Sequence, residues 1–162
     1  MKTSIQYRLM EEGEEQDVCD LVIRVFHEFV AHQYSEEGVQ EFLKYTEPQA
    51  LLKRCQEDDF VSLATTQGKI VGMIELVGNN HISLFYTDSP LQGIGIGRRL
   101  LNKSLEICMN NDPAPTEITV NSSPNAVGIY KKLGFNVTEP EKEINGIRFV
   151  PMKLELSDSS KL

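Results

Sequence analysis

Apolar positions along this chain follow two alternating periods, and the switches between them lay out its elements in order. Residues 5–9 (Ile-Gln-Tyr-Arg-Leu) alternate as a short strand does. An acidic stretch from Glu11 to Asp17 then suits a helix N-terminus, where the dipole favours negative charge. Val18, Leu21, Val22, Val25, Phe26, Phe29 and Val30 follow at helical spacing and predict an amphipathic helix. Ser35 is placed to cap a second helix carrying Val39, Phe42 and Leu43. Pro48 is placed to open a third, with Leu51, Leu52 and Cys55.

The period then changes to two. Residues 60–66 and 69–77 read as a strand pair around Gln67-Gly68, and a turn at Gly78-Asn79-Asn80 leads into a strand at 81–87. Residues from Gly95 to about Asn111 return to helical spacing, with Leu100, Leu101, Leu105, Cys108 and Met109 as the inward stripe; Pro113 and Pro115 end it. A short strand at Glu117–Asn121 precedes a helix from Pro124 to Leu133 that Gly134 stops. A hairpin around Asn145-Gly146 closes the pattern, with its last strand at 147–156. Residues 157–162 read as a frayed tail, so 1–156 is expected to form one domain. Helix crossovers make parallel neighbours and tight turns make antiparallel ones, so this order predicts an α/β (α+β) fold with a mixed sheet.

Composition agrees. A chain of 162 residues with 40% hydrophobic content suits one core and is short for two. No apolar stretch approaches the ~18 residues of a membrane helix, and no signal-peptide pattern opens the chain. The cytoplasm is therefore the expected compartment, and no membrane partner is expected. The final Ser160-Lys161-Leu162 would be a peroxisomal address only in a eukaryotic host. Cys19, Cys55 and Cys108 have neither CxxC nor Cys/His spacing, so reduced packing thiols are expected, with no zinc or other metal.

A net charge of −8 argues against nucleic-acid binding. Residues 1–60 carry 6 basic and 14 acidic side chains, whereas 91–135 carry 5 basic and 3 acidic. This contrast fits an anionic ligand held in the middle and a cationic acceptor held by the N-terminal region; it fits ordinary solvated helix faces equally well.

The segment richest in chemistry is the strand at His81 running into Gln92-Gly93-Ile94-Gly95-Ile96-Gly97-Arg98 and then a helix. Glycines without side chains let backbone N–H groups crowd an anion, and the helix N-terminus adds unpaired donors. No GxxxxGK[ST] is present, and the spacing is G-x-G-x-G rather than the dinucleotide G-x-G-x-x-G.

This loop resembles the Q/R-x-x-G-x-G/A pyrophosphate motif of the GNAT superfamily of N-acetyltransferases. A second match lies downstream in Asn125-Ala-Val-Gly-Ile-Tyr130-Lys-Lys-Leu-Gly-Phe135. It is similar to N-x-x-A-x-x-[FY]-Y-x-[KR]-x-G-F, but departs from it in placing Ala126 directly after Asn125 and Ile129 before Tyr130. The two motifs together cover about residues 81–135.

The resemblance implies a mostly antiparallel sheet of about seven strands flanked by helices, with two central strands splayed around the cofactor. It implies acetyl-CoA as cosubstrate. Backbone groups of Phe85, Tyr86 and Thr87 would bind the pantetheine arm and thioester. Residues Gln92 through Arg98 would bind the pyrophosphate, Asn125 would hydrogen-bond the cofactor, and Tyr130 would lie near the sulfur.

Acetyl transfer to an amine would then proceed by direct attack in a ternary complex. A lysine-like amine with pKa ~10.4 is only about 0.04% neutral at pH 7, so a base is wanted. Candidates are His81, Glu75, Asp88 and His32, or water. A strand N–H near Phe85 is placed to meet the developing oxyanion, and Tyr130 to protonate the leaving thiolate. A three-residue turn at Gly78-Asn79-Asn80 would pair Val77 with His81 and Glu75 with Ser83, putting Glu75, His81, Ser83 and Phe85 on one face. Besides acetyl transfer to a cationic small-molecule or peptide amine, two readings stay open: transfer of a longer acyl group and a catalytically idle acyl-CoA sensor; the protein is expected as a monomer or a homodimer.

Overall fold

The computed structural model describes residues 4–156; the expected tail at 157–162, with Ser160-Lys161-Leu162, lies outside the described residues. The elements run β1 (Gln6–Leu9), α1 (Glu15–Phe29), α2 (Glu36–Tyr45), α3 (Pro48–Gln56), β2 (Phe60–Thr66), β3 (Lys69–Val77), β4 (His81–Thr87), α4 (Ile96–Asn110), β5 (Glu117–Ser122), α5 (Val127–Lys132), β6 (Asn136–Val137), β7 (Lys142–Ile144) and β8 (Ile147–Glu155).

The strands form one eight-stranded sheet in the order β1-β2-β3-β4-β5-β8-β6, with β7 paired to β8 off that path. β4 and β5, separated by α4, are parallel, and the other pairs are antiparallel. The extra strand relative to the sequence expectation is β6. Its two residues are too few to show alternation, and Gly134 at φ +104° turns the chain into it.

Each face of the sheet carries its own core. On one, α1, α2 and α3 bury Val18, Leu21, Val22, Phe26, Phe42 and Leu51 against Val61, Leu63, Met73 and Leu84. On the other, α4 and α5 bury Leu100, Leu101, Cys108 and Tyr130 against Ile74, Leu76, Ile82, Ile118 and Val120. Most positions of the predicted stripes of α1 and α4 are buried, but Phe29, Leu105 and Met109 are only half-buried, and Cys19, Ile96 and Ser104 join the buried faces; the Ser104 hydroxyl is satisfied by Ser62 at 3.2 Å. Ser35 caps α2 by accepting from the Gly38 N–H at 3.2 Å, and Pro48 opens α3.

The hairpin of β7 and β8 is fastened to α2. The Ser35 N–H donates to the Gly146 carbonyl at 3.0 Å. Gly146, at φ +81°, packs against Ser35 and Gly38 so closely that neither glycine has room for a Cβ. Among the described residues no helix is long and apolar enough to cross a membrane.

Candidate active site

Two irregularities of β4 build the site. The first is a bulge. Val77 pairs with His81 as the three-residue turn requires, and Leu76 with Ile82, but Glu75 pairs with Leu84. Ser83 is the extra residue, so the expected Glu75–Ser83 register is corrected by one position. The bulge shifts the alternation. Ile82 faces the α4–α5 core, yet Leu84 and Tyr86 face α1–α3, and Phe85 faces α4–α5. Glu75, His81 and Ser83 thus share the α1–α3 face as expected; Phe85 sits on the opposite one, contrary to expectation.

The second irregularity is a splay. β4 and β5 pair only at His81–Thr119 and Ile82–Val120, and then diverge. The gap opens into a cleft of 1210 Å³. It reaches the glycine loop on one face and the ends of α1 and α2 on the other, so it is a slot through the sheet.

On the α4–α5 face, Gly93 (φ +87°) and Gly95 (φ +93°) adopt backbone that L-residues avoid, and a Cβ on either would meet open space. Gly95 is the N-cap of α4, so the unpaired N–H groups of its first turn are at the loop. Gln92 braces this loop by donating to the Thr87 carbonyl at 3.0 Å, and Arg98 by donating to the Lys132 carbonyl at 2.9 Å. Tyr130 packs edge-on to Phe85 at 6.1 Å and to Phe135 at 5.3 Å. Burial pushes its phenol pKa upward, which keeps the hydroxyl protonated. The Asn125 N–H donates to Gln33 Oε1 at 3.3 Å, tying the start of α5 to the turn after α1.

On the α1–α3 face, His81 Nδ1 lies 2.7 Å from Thr119 Oγ1. Burial lowers its imidazole pKa, so the ring is neutral at pH 7. Glu75 is fully buried behind Ser83. Its Oε1 accepts from Ser83 Oγ at 2.8 Å and from Arg54 Nη2 at 3.1 Å, and its Oε2 accepts from Arg54 Nε at 2.7 Å. The Arg54 guanidinium also stacks 3.6 Å from the Tyr45 ring centroid. Burial is the main cause raising the Tyr45 pKa, with the Glu75 charge adding to it.

The slot therefore brings together His81, Phe85, Tyr86, Thr87, Gln92, Gly93, Gly95, Ile96, Gly97, Arg98, Asn125 and Tyr130. It leaves out Ile94, whose side chain points to solvent at 61% exposure, and Glu75, which reaches the cleft only through Ser83. Asp88 is outside the lining and paired with Arg24 at 3.2 Å, and His32 is outside it too. Of the fourteen acidic side chains in residues 1–60, Glu41 alone lines the cleft. Sequence reasoning placed Ser83 beside Glu75 on this face but missed Arg54 and Tyr45 altogether; nothing in the spacing of α3 points to a partner 21 residues away in β3. Burial raises the thiol pKa of Cys19 to about 12 and of Cys55 and Cys108 to about 11, so all three are poor nucleophiles at neutral pH. Among the described residues no three His, Cys, Asp or Glu side chains group closely enough to hold a metal.

A family model described as an acetyltransferase (GNAT) domain matches residues 30–156. The peptidyl-lysine N-acetyltransferase YjaB of Salmonella typhimurium is 31% identical over 142 residues, covering 85% of this chain and 86% of that protein. A GCN5-related N-acetyltransferase from Rhodopseudomonas palustris superposes with a TM-score of 0.80 at 22% identity, over 96% of this chain and 99% of that one. The PaiA N-acetyltransferase from Thermoplasma acidophilum, solved in complex with coenzyme A, superposes at 0.75 and 21% identity over 94% and 99%.

Proposed function

The chain belongs to the GNAT acetyltransferase family, and on that premise we propose that it transfers an acetyl group from acetyl-CoA to a primary amine by direct attack in a ternary complex. The observation that carries this reading is the divergence of β4 from β5 beyond Ile82–Val120. It leaves the backbone edge of residues 83–87 free toward the slot, in line with a glycine cradle at one end. An extended amide-bearing arm fits such an edge as an added strand, and a pyrophosphate fits the helix N-terminus beyond it. The residues present therefore suit coenzyme A. Solved relatives bound to coenzyme A support the same assignment, as PaiA does.

Acetyl-CoA would supply the activated thioester; the rest is done by the chain. Phe85, Tyr86 and Thr87 offer backbone donors and acceptors to the arm. Gly93, Gly95 and Gly97 offer N–H groups to the phosphates, and Gln92 and Arg98 hold that loop in shape. A backbone N–H near Phe85 meets the developing oxyanion. With Nδ1–H donated to Thr119, His81 presents the Nε2 lone pair to the acceptor and takes its proton. Ser83 and its Arg54–Glu75 support position the acceptor side of β4; both Glu75 oxygens are already engaged, so Glu75 is a positioning residue. Tyr130, kept protonated by burial, gives its proton to the leaving thiolate. The similarity to YjaB, a peptidyl-lysine N-acetyltransferase, supports a primary amine as acceptor.

Release of the coenzyme thiol on mixing acetyl-CoA with primary amines tests this reading. Turnover that requires both supports it. Tight acetyl-CoA binding without turnover on any amine identifies a sensor instead.

A further inference from the structure

We propose that the acceptor is a small primary amine carried on an aromatic or branched aliphatic body. This rests on the acetyltransferase reading and concerns the mouth of the slot on the α1–α3 face.

Apolar side chains build that mouth. Phe29 and Val30 end α1, Tyr34 and Phe42 stand on one side, and Ile147 and Phe149 of β8 on the other. The aromatic wall is braced from behind. Phe42 stacks on Phe26 at 3.9 Å, Tyr34 meets Phe26 edge-on at 5.4 Å, and Tyr86 meets Phe42 at 6.2 Å. Edges and faces fixed in this way accept a further ring or a branched alkyl group.

Charge is scarce there. Glu41 is the one carboxylate of the lining; its side chain is 46% exposed, at the rim, with Lys44 3.9 Å away. Glu75 lies behind Ser83 with both oxygens engaged. Arg98 and Lys132, the cations of the lining, flank the glycine loop on the other face. A polyamine would have to bring its second ammonium among aromatic rings with no buried carboxylate to meet it, which costs affinity.

The mouth is also bounded. The tip of the β7–β8 hairpin is fastened across to α2 through Ser35, Gly38 and Gly146. The fastened tip lines one side of the mouth, which suits a small body that enters between the helix ends, the strand and the hairpin.

The test uses the full chain at saturating acetyl-CoA and compares phenethylamine, isoamylamine, spermidine and a peptide containing one lysine between glycines. Phenethylamine and isoamylamine are expected to exceed spermidine and the peptide by about tenfold or more in kcat/KM. Ile147→Asp is expected to raise the phenethylamine KM by about tenfold. Calorimetry on that variant should show unaltered acetyl-CoA affinity, which also reports that it folds. Preference for spermidine or for the peptide overturns the inference, as does an unchanged KM in the folded variant. If calorimetry shows acetyl-CoA bound but no amine is acetylated, the transferase reading beneath this inference fails, and the inference with it.

Discussion

Gly95→Ala and Gly97→Ala separate the cradle from the fold. Gly95 is at φ +93°, and a Cβ there meets nothing of the protein within 4 Å. The methyl group would stand in the open space that the proposal above gives to the pyrophosphate. Left-handed backbone costs a non-glycine residue about 1–2 kcal/mol, so the variant should lose that much stability or relax the loop. Either outcome displaces backbone donors from the anion. Two charge-assisted hydrogen bonds, each worth roughly 1.5–3 kcal/mol, amount to at least about 3 kcal/mol. That corresponds to a rise in Kd on the order of a hundredfold or more. Gly97 differs: its Cβ would point at Phe85, at an ordinary contact distance of 3.5 Å, rather than into open space. It lies inside α4, where alanine is the better helix former by up to about 1 kcal/mol. Gly97→Ala should therefore bind acetyl-CoA within about threefold of the parent and unfold at equal or higher denaturant. Calorimetry with acetyl-CoA, alongside urea unfolding of both variants, reads each quantity. A folded Gly95→Ala chain with parental affinity would refute the assignment of this loop to the pyrophosphate.

Three further outcomes are expected. His81→Ala should lower kcat near neutral pH and recover partly as pH rises and the amine deprotonates in solution. Because burial lowers the imidazole pKa, the parent should lose activity only on the acid side of the ordinary imidazole range, and the variant's pH–rate profile should lack that limb; superimposed profiles would eliminate His81 as the base. Arg54→Met leaves the fully buried Glu75 carboxylate without its cation and should cost about 3–5 kcal/mol in urea unfolding, whereas adding Glu75→Met should restore at least half of the loss; a single-variant cost under about 1 kcal/mol would refute the pairing. Gly146→Ala, whose methyl would overlap Ser35, should release the hairpin tip and raise the acceptor KM while leaving the acetyl-CoA Kd unchanged, and equal KM values would show that the tip does not shape that mouth.

Much of the fold was legible because its elements announce themselves locally. The stripe of α1, the cap at Ser35, Pro48 and the turns at Gly68, Asn80 and Gly146 all depend on neighbours within a few residues. The glycine loop was legible for the same reason, since Gly93, Gly95 and Gly97 belong to one contiguous segment that opens α4 and lines the cleft. The acceptor side was not. One inserted residue at Ser83 moved Phe85 to the other face, and a bulge leaves no trace in an alternating apolar strand. Arg54 carries no local signal of its partner, because α3 meets Glu75 of β3 only in the folded chain. The acidic N-terminal region was read by its sum, yet its carboxylates point almost everywhere except into the cleft.

The splay has a mechanical consequence. β1 to β4 and β5 to β8 are two half-sheets, joined along their shared seam by the two positions His81–Thr119 and Ile82–Val120. The halves are otherwise held by the core they share on the α4–α5 face, so a ligand lying in the open part of the seam would add a rivet between them. Occupancy should then be felt well beyond the residues touched. Amides of β4 and β5 on either side of the gap should slow their exchange with deuterated water together, and the melting temperature of the whole domain should climb with ligand concentration as mass action requires.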